Sequence, residues 1–102
     1  MSLRVTPQLE RREGEAQIRV TLQNPGKSLA FMLHLRLTRG AKGDDVTPIL
    51  WDDNFFSLVP GEQRTVTASF HLRDLEGAEP TIQVSGWNAA PVSMKAIAQQ
   101  RR

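Results

Sequence analysis

Between Glu15 and Gln23 the chain reads Glu-Ala-Gln-Ile-Arg-Val-Thr-Leu-Gln, with an apolar residue at every even position and a polar one at every odd position. A period of two belongs to an extended strand with one buried face, because successive side chains leave a pleated backbone on opposite sides; a helix needs apolar spacings of three and four. The segment therefore has to pair within a sheet. Asn24-Pro25-Gly26-Lys27 follows, where proline sets φ for a turn and glycine accepts a positive one.

The next strand is Ala30 to Thr38, with Phe31, Leu33, Leu35 and Leu37 expected on one face and Met32, His34 and Arg36 on the other. A polar loop from Arg39 to Asp45 leads to the apolar run Val46 to Trp51, in which Pro48 signals an edge strand because it has no N–H to donate. Asp52-Asp53-Asn54 marks a turn, Phe55 to Val59 a short strand, and Pro60-Gly61 another turn. Gln63 to Phe70 alternates again, placing Val66, Ala68 and Phe70 inward. Asp74 to Pro80 reads as a loop, and Thr81 to Trp87 as a strand with Ile82 and Val84 inward. With an N-terminal strand from Arg4 to Arg12, the pattern predicts an all-β chain, an antiparallel two-sheet sandwich of about seven strands. Its core covers about residues 4–88; in the tail 89–102, Val92 to Ile97 reads as a final strand or, alternatively, as helix or frayed chain.

Length and composition bound this reading. At 102 residues the chain makes one domain, 1–102, able to bury roughly 60–70 % of the surface its unfolded form exposes. Apolar residues at 39 % and charged residues at 24 % match a globular chain and exclude the profile of disorder. The net charge is only +2, and the basic pair Arg101-Arg102 has no stacking aromatics beside it, so no nucleic acid is expected as a partner. No apolar run approaches the roughly 20 residues of a membrane span, and the N-terminus lacks the apolar stretch of a signal peptide. No membrane partner is expected, and the chain is read as cytosolic or as a piece of something longer. The absence of cysteine removes disulfides, thiolate nucleophiles and cysteine zinc sites.

The remaining chemistry is sparse. His34 and His71 form no HxH or HxxxH pair, so no metal is expected of them. Ser57, Ser69, Ser85 and Ser93 lie outside any GxSxG context, and the glutamates and aspartates mostly flank turns. Asp44, Asp45, Asp52, Asp53 and Asn54 offer oxygens to calcium, but without EF-hand spacing, and turn chemistry accounts for residues 52–54. Neither catalytic residues nor a cofactor are expected. Trp51, Phe55 and Phe56 surround the acidic turn, and alternation with Ile82 and Val84 puts Trp87 outward. Read as a surface, Trp51, Asp52, Asp53, Asn54, Phe55 and Trp87 form a candidate carbohydrate or domain-interface site. Read as core, Trp51 and Phe56 close the sandwich end and Gly86 seats a bulge that turns Trp87 inward. The core reading is preferred for Trp51 and Phe56; both stand for Trp87.

Three stretches carry a resemblance: Asn24-Pro25-Gly26, Leu50-Trp51-Asp52-Asp53-Asn54-Phe55-Phe56-Ser57-Leu58-Val59-Pro60-Gly61-Glu62, and Val84-Ser85-Gly86-Trp87-Asn88. Over about residues 17–88 the chain resembles the C-terminal immunoglobulin-like domain of family 2 glycoside hydrolases, in the exo-β-D-glucosaminidase, β-mannosidase and endo-β-mannosidase branch. The resemblance implies an immunoglobulin-like sandwich that serves as a non-catalytic accessory domain, packing against and stabilising the other domains of a periplasmic or secreted parent enzyme. In such an enzyme the catalytic glutamates lie in a barrel earlier in the polypeptide, so no catalytic role transfers to this chain. The partner surface is then expected to include Trp87, Met32 and His34. The alternative is a carbohydrate-binding module using the exposed aromatics.

Overall fold

The alternating segment becomes β2 (Glu15–Gln23), a strand paired antiparallel on both sides, with β1 (Arg4–Arg12) and β6 (Gln63–His71). The structure, a computed structural model, describes residues 2–98. Among them the chain continues through β3 (Ala30–Arg39), β4 (Ile49–Trp51) and β5 (Phe56–Leu58); after β6 come a 3-10 turn (Leu72–Leu75), β7 (Pro80–Ser85), β8 (Val92–Lys95) and β9 (Ile97–Ala98). One sheet has the order β4-β6-β2-β1-β9, the other β5-β3-β7-β8. The seven expected strands are all present. The tail adds β8, antiparallel to β7, and β9, which runs parallel to β1.

The core is built by register. Ile18 sits opposite both Leu9 and Ala68, and Val20 opposite Val66, so the inward face of the first sheet is a layer of small and branched side chains. From the second sheet Ala30, Leu33, Leu35, Leu37, Phe56, Leu58, Ile82 and Val84 meet that layer, all buried. Fully burying one such branched side chain contributes about 1.5–3 kcal/mol. The facing sets make the single hydrophobic cluster on which the sandwich rests.

Four details depart from simple alternation. Phe31, expected inside with Leu33, Leu35 and Leu37, is 41 % exposed. A bulge interrupts the β3–β5 pairing between Ala30 and Leu33, and Met32 adopts a positive φ of 50°, so the chain reverses its facing before Leu33. Phe55 lies outside β5 with φ 55°. The strand expected to reach Trp87 stops at Ser85, and the loop expected over residues 74–80 begins with the 3-10 turn.

The outer faces of the two sheets differ. On the first sheet Gln17, Arg19, Thr21, Thr65, Thr67 and Ser69 point away from the core, a polar surface suited to water. On the second sheet, one end is covered by the chain itself. There Thr38 and Thr81 are buried under the loop of residues 40–45, with Thr38 Oγ1 donating to Gly40 O (2.7 Å) and Gln83 Nε2 to Ala41 O (3.0 Å). The other end has no such cover among the described residues.

Candidate functional site

The uncovered end of the second sheet is assembled from β3, β5 and the segment after β7. Trp87 N donates to Phe31 O (3.0 Å), which extends the β3–β7 pairing past the last strand residue. The Trp87 ring then stacks on Phe31 with centroids 5.4 Å apart and planes 12° from parallel. Trp87 is 79 % exposed, so the outward reading holds and the inward turn at Gly86 does not. Gly86 has a different duty: a Cβ there would sit 2.8 Å from Leu33 Cδ2 and 3.0 Å from Phe31 O, so a larger residue could be seated only by shifting the buried Leu33 side chain and the β3 backbone.

A second stack stands on the same strand. His34, outward on β3, lies against Phe55 with centroids 4.3 Å apart and planes 13° from parallel. Phe55 is 59 % exposed, and Val59 is exposed nearby, two residues beyond the Ser57 that receives Met32 N at 3.1 Å. Of the three expected partner-facing residues, His34 and Trp87 are therefore in this group, while Met32 is half-buried in the bulge. Phe31 was missed. Nothing in its local sequence announces the bulge.

The acidic turn behaves differently from its aromatics. Asp52 accepts from Thr67 N (2.8 Å) and Thr67 Oγ1 (3.1 Å), tying the turn to β6. Asp53 pairs with Arg64 at 3.2 Å. Asn54 Oδ1 accepts from Leu35 N and its Nδ2 donates to Leu35 O, both at 2.9 Å, so the side-chain amide pairs with β3 as another strand would. Trp51 is half-buried and packs against the core. The six candidates thus separate by environment: Phe55 and Trp87 stand in the aromatic end, Asp52, Asp53 and Asn54 hold backbone and β6, and Trp51 lines the sandwich.

Two other asparagines work as Asn54 does. Asn88 Oδ1 accepts from Phe31 N (2.8 Å) and its Nδ2 donates to Leu29 O (2.7 Å). Asn24, 1 % exposed, donates to Ser28 O (2.8 Å) and Leu58 O (2.9 Å) and accepts from Gly26 N (3.0 Å). Its backbone exchanges bonds with Glu62 O and Gly61 N, so the Asn-Pro-Gly and Pro-Gly-Glu stretches close on each other.

Charged pairs flank the aromatic end on two sides: Arg64 meets Asp53 (3.2 Å) and Glu62 (3.4 Å) beside β5, over the Phe56 ring, and Arg36 meets Asp45 toward the covered half. Arg36 donates through Nε to Asp45 (2.9 Å), and this hydrogen bond holds the guanidinium pKa above its ordinary value, partly offset by burial. His71 ends β6, exposed, beside Glu15. Among the described residues no three of His, Cys, Asp and Glu come together in a metal-holding group. Depressions of about 160 Å³ (Glu10, Glu15, Ala16, Gln17, Ser69), about 350 Å³ (among Pro48, Ile49, Leu50, Phe70 and His71) and about 360 Å³ (Glu13, Gly14, Glu15, His71, Arg73) lie along the first sheet; the two larger reach the roughly 300 Å³ at which small-molecule pockets begin, and none of the three borders the aromatic end.

Two sheets packed face to face, antiparallel except where the tail strand β9 returns beside β1, define an immunoglobulin-like β-sandwich. The model of the exo-beta-D-glucosaminidase Ig-fold domain matches residues 1–89, and the chain belongs to that family. It is 37 % identical over 86 residues to an exo-beta-D-glucosaminidase of Amycolatopsis orientalis, covering 82 % of this chain and 8 % of the relative. It is 31 % identical over 77 residues to a mannosylglycoprotein endo-beta-mannosidase of Lilium longiflorum, covering 70 % of this chain and 8 % of that protein. The crystal structure of the Amycolatopsis orientalis exo-chitosanase superposes with a TM-score of 0.86 at 34 % identity, over 93 % of this chain and 11 % of the other. The periplasmic chaperone SfaE shares the fold alone, at a TM-score of 0.66 and 11 % identity. The chain therefore spans about a tenth of the curated hydrolases it matches.

Proposed function

We propose that the chain is a non-catalytic accessory domain of a multidomain glycoside hydrolase of exo-β-D-glucosaminidase or β-mannosidase type, packing against its catalytic region and stabilising it. The observation that carries this reading is the asymmetry of the second sheet: its own loop covers one end, and stacked aromatics stand uncovered at the other. Apolar side chains held rigid at a surface lose little conformational freedom on docking, which suits a permanent contact. The small share of each relative's length agrees with a role within a larger enzyme.

The test is removal of the domain from such a hydrolase. The truncated enzyme should melt several degrees lower, and adding the 102-residue chain back should restore part of the loss. An unchanged melting temperature on removal would refute the stabilising role.

A further inference from the structure

Resting on that reading, we infer that the docking surface is the uncovered end of the β5-β3-β7-β8 sheet, formed by Phe31, His34, Phe55, Val59 and Trp87, and that its occupant is an apolar protein surface of the same hydrolase polypeptide. Three observations favour this face. First, Phe31, Phe55, Val59 and Trp87, four of the six exposed large apolar side chains among the described residues, lie with half-buried His34 on one sheet end, whereas Leu50 stands on the β4 edge of the other sheet and Met94 on β8. Second, each ring is braced by another: Phe31 backs Trp87 and His34 backs Phe55, so the surface is fixed before a partner arrives. Third, the charges around this end are paired at its border, Arg36 with Asp45 toward the loop-covered half and Arg64 with Asp53 and Glu62 on the β5 side, leaving ring surface between them, the usual anatomy of a contact core and rim.

The same geometry decides between a protein and a sugar as occupant. Sugar recognition needs an aromatic platform together with side-chain hydrogen-bonding groups converging on the hydroxyls. The amides nearest the rings hold backbone instead. Asn88 bonds Phe31 N and Leu29 O, and Asn54 bonds Leu35 N and O. Asp52 is held by Thr67. What faces outward is apolar ring surface, which a protein partner desolvates. The partner is a domain of the same polypeptide because the chain forms only 8 % of the Amycolatopsis orientalis relative's length, and an accessory domain joined to that much further chain meets it at high effective concentration.

The experiment mixes the 102-residue chain with the Amycolatopsis orientalis exo-beta-D-glucosaminidase, 37 % identical, from which the corresponding domain has been removed. Affinity and the recovery of thermal midpoint are measured for the unchanged chain, Trp87→Ala, Phe31→Ser and Leu50→Ser. The inference predicts binding by the unchanged chain and by Leu50→Ser, with losses on the order of tenfold or more for Trp87→Ala and Phe31→Ser. Trp87 is 79 % exposed, so Trp87→Ala should keep the β-sheet circular dichroism of the free chain and report on docking rather than folding. Binding by Trp87→Ala and Phe31→Ser equal to that of the unchanged chain overturns the face while leaving the accessory reading in place. No binding by the unchanged chain overturns both. A saturable tryptophan fluorescence change with glucosamine or mannose oligosaccharides, lost in Trp87→Ala, overturns the protein occupant in favour of a sugar.

Discussion

Asn24, Asn54 and Asn88 each carry one amide where the backbone lacks a neighbouring strand. An asparagine side chain offers the same C=O and N–H as a peptide group, so it can complete a ladder at a bulge or a strand end. Asn24 is the most buried of them, and its removal takes a hydrogen-bond donor from Leu58 O in the interior. Asn24→Ala should therefore destabilise the domain by about 1–3 kcal/mol in urea unfolding. Asn24→Asp should be worse at neutral pH, because a carboxylate would face the Ser28 and Leu58 carbonyls, and it should recover part of the loss as acid protonates it. Equal midpoints for the two variants across pH would contradict this. Gly86 makes a second prediction at this scale. Gly86→Ala forces a methyl against Leu33 Cδ2 and Phe31 O, and should cost about 1–3 kcal/mol while loosening the Phe31–Trp87 stack, read as a change in Trp87 emission.

At the level of strands, the period-two pattern was sufficient for β2 and β6, whose apolar residues alternate and whose inward sides are the buried ones. It failed at Phe31. The reversal there depends on positive φ at Met32, a conformation that sequence patterns associate with glycine, asparagine or aspartate, so a methionine gives no warning. Phe55 takes a positive φ for the same kind of reason and leaves its strand. The acidic turn was legible as a turn and as a cluster of aromatics with carboxylates. Its wiring was not, because Asn54 finds Leu35 and Asp52 finds Thr67 only once β3 and β6 have been brought beside it. The tail was open between strand and helix; as β8 it covers the β7 edge, and Ala96 N donates to Pro80 O at 2.9 Å. Deleting residues 91–102 should expose that edge and lower stability by about 2–4 kcal/mol, measured by urea midpoint. An unchanged midpoint would mean that β8 and β9 add nothing to the sandwich.

The molecule as a whole is a two-faced slab, with a polar outer surface on one sheet and an aromatic end on the other. Its two tryptophans sit on either side of that division: Trp51 packs against the core, and Trp87 stands outside it. This makes the chain its own control. With 5-fluorotryptophan incorporated, each ring gives one 19F resonance, and the free chain should show a large H2O-to-D2O shift for Trp87 and a smaller one for Trp51. Adding the domain-truncated Amycolatopsis orientalis enzyme should move the Trp87 resonance and reduce its solvent shift while leaving Trp51 in place. A Trp87 resonance that keeps its position and full solvent shift when the enzyme is saturated would contradict the claim that this end of the sheet is where the domain docks.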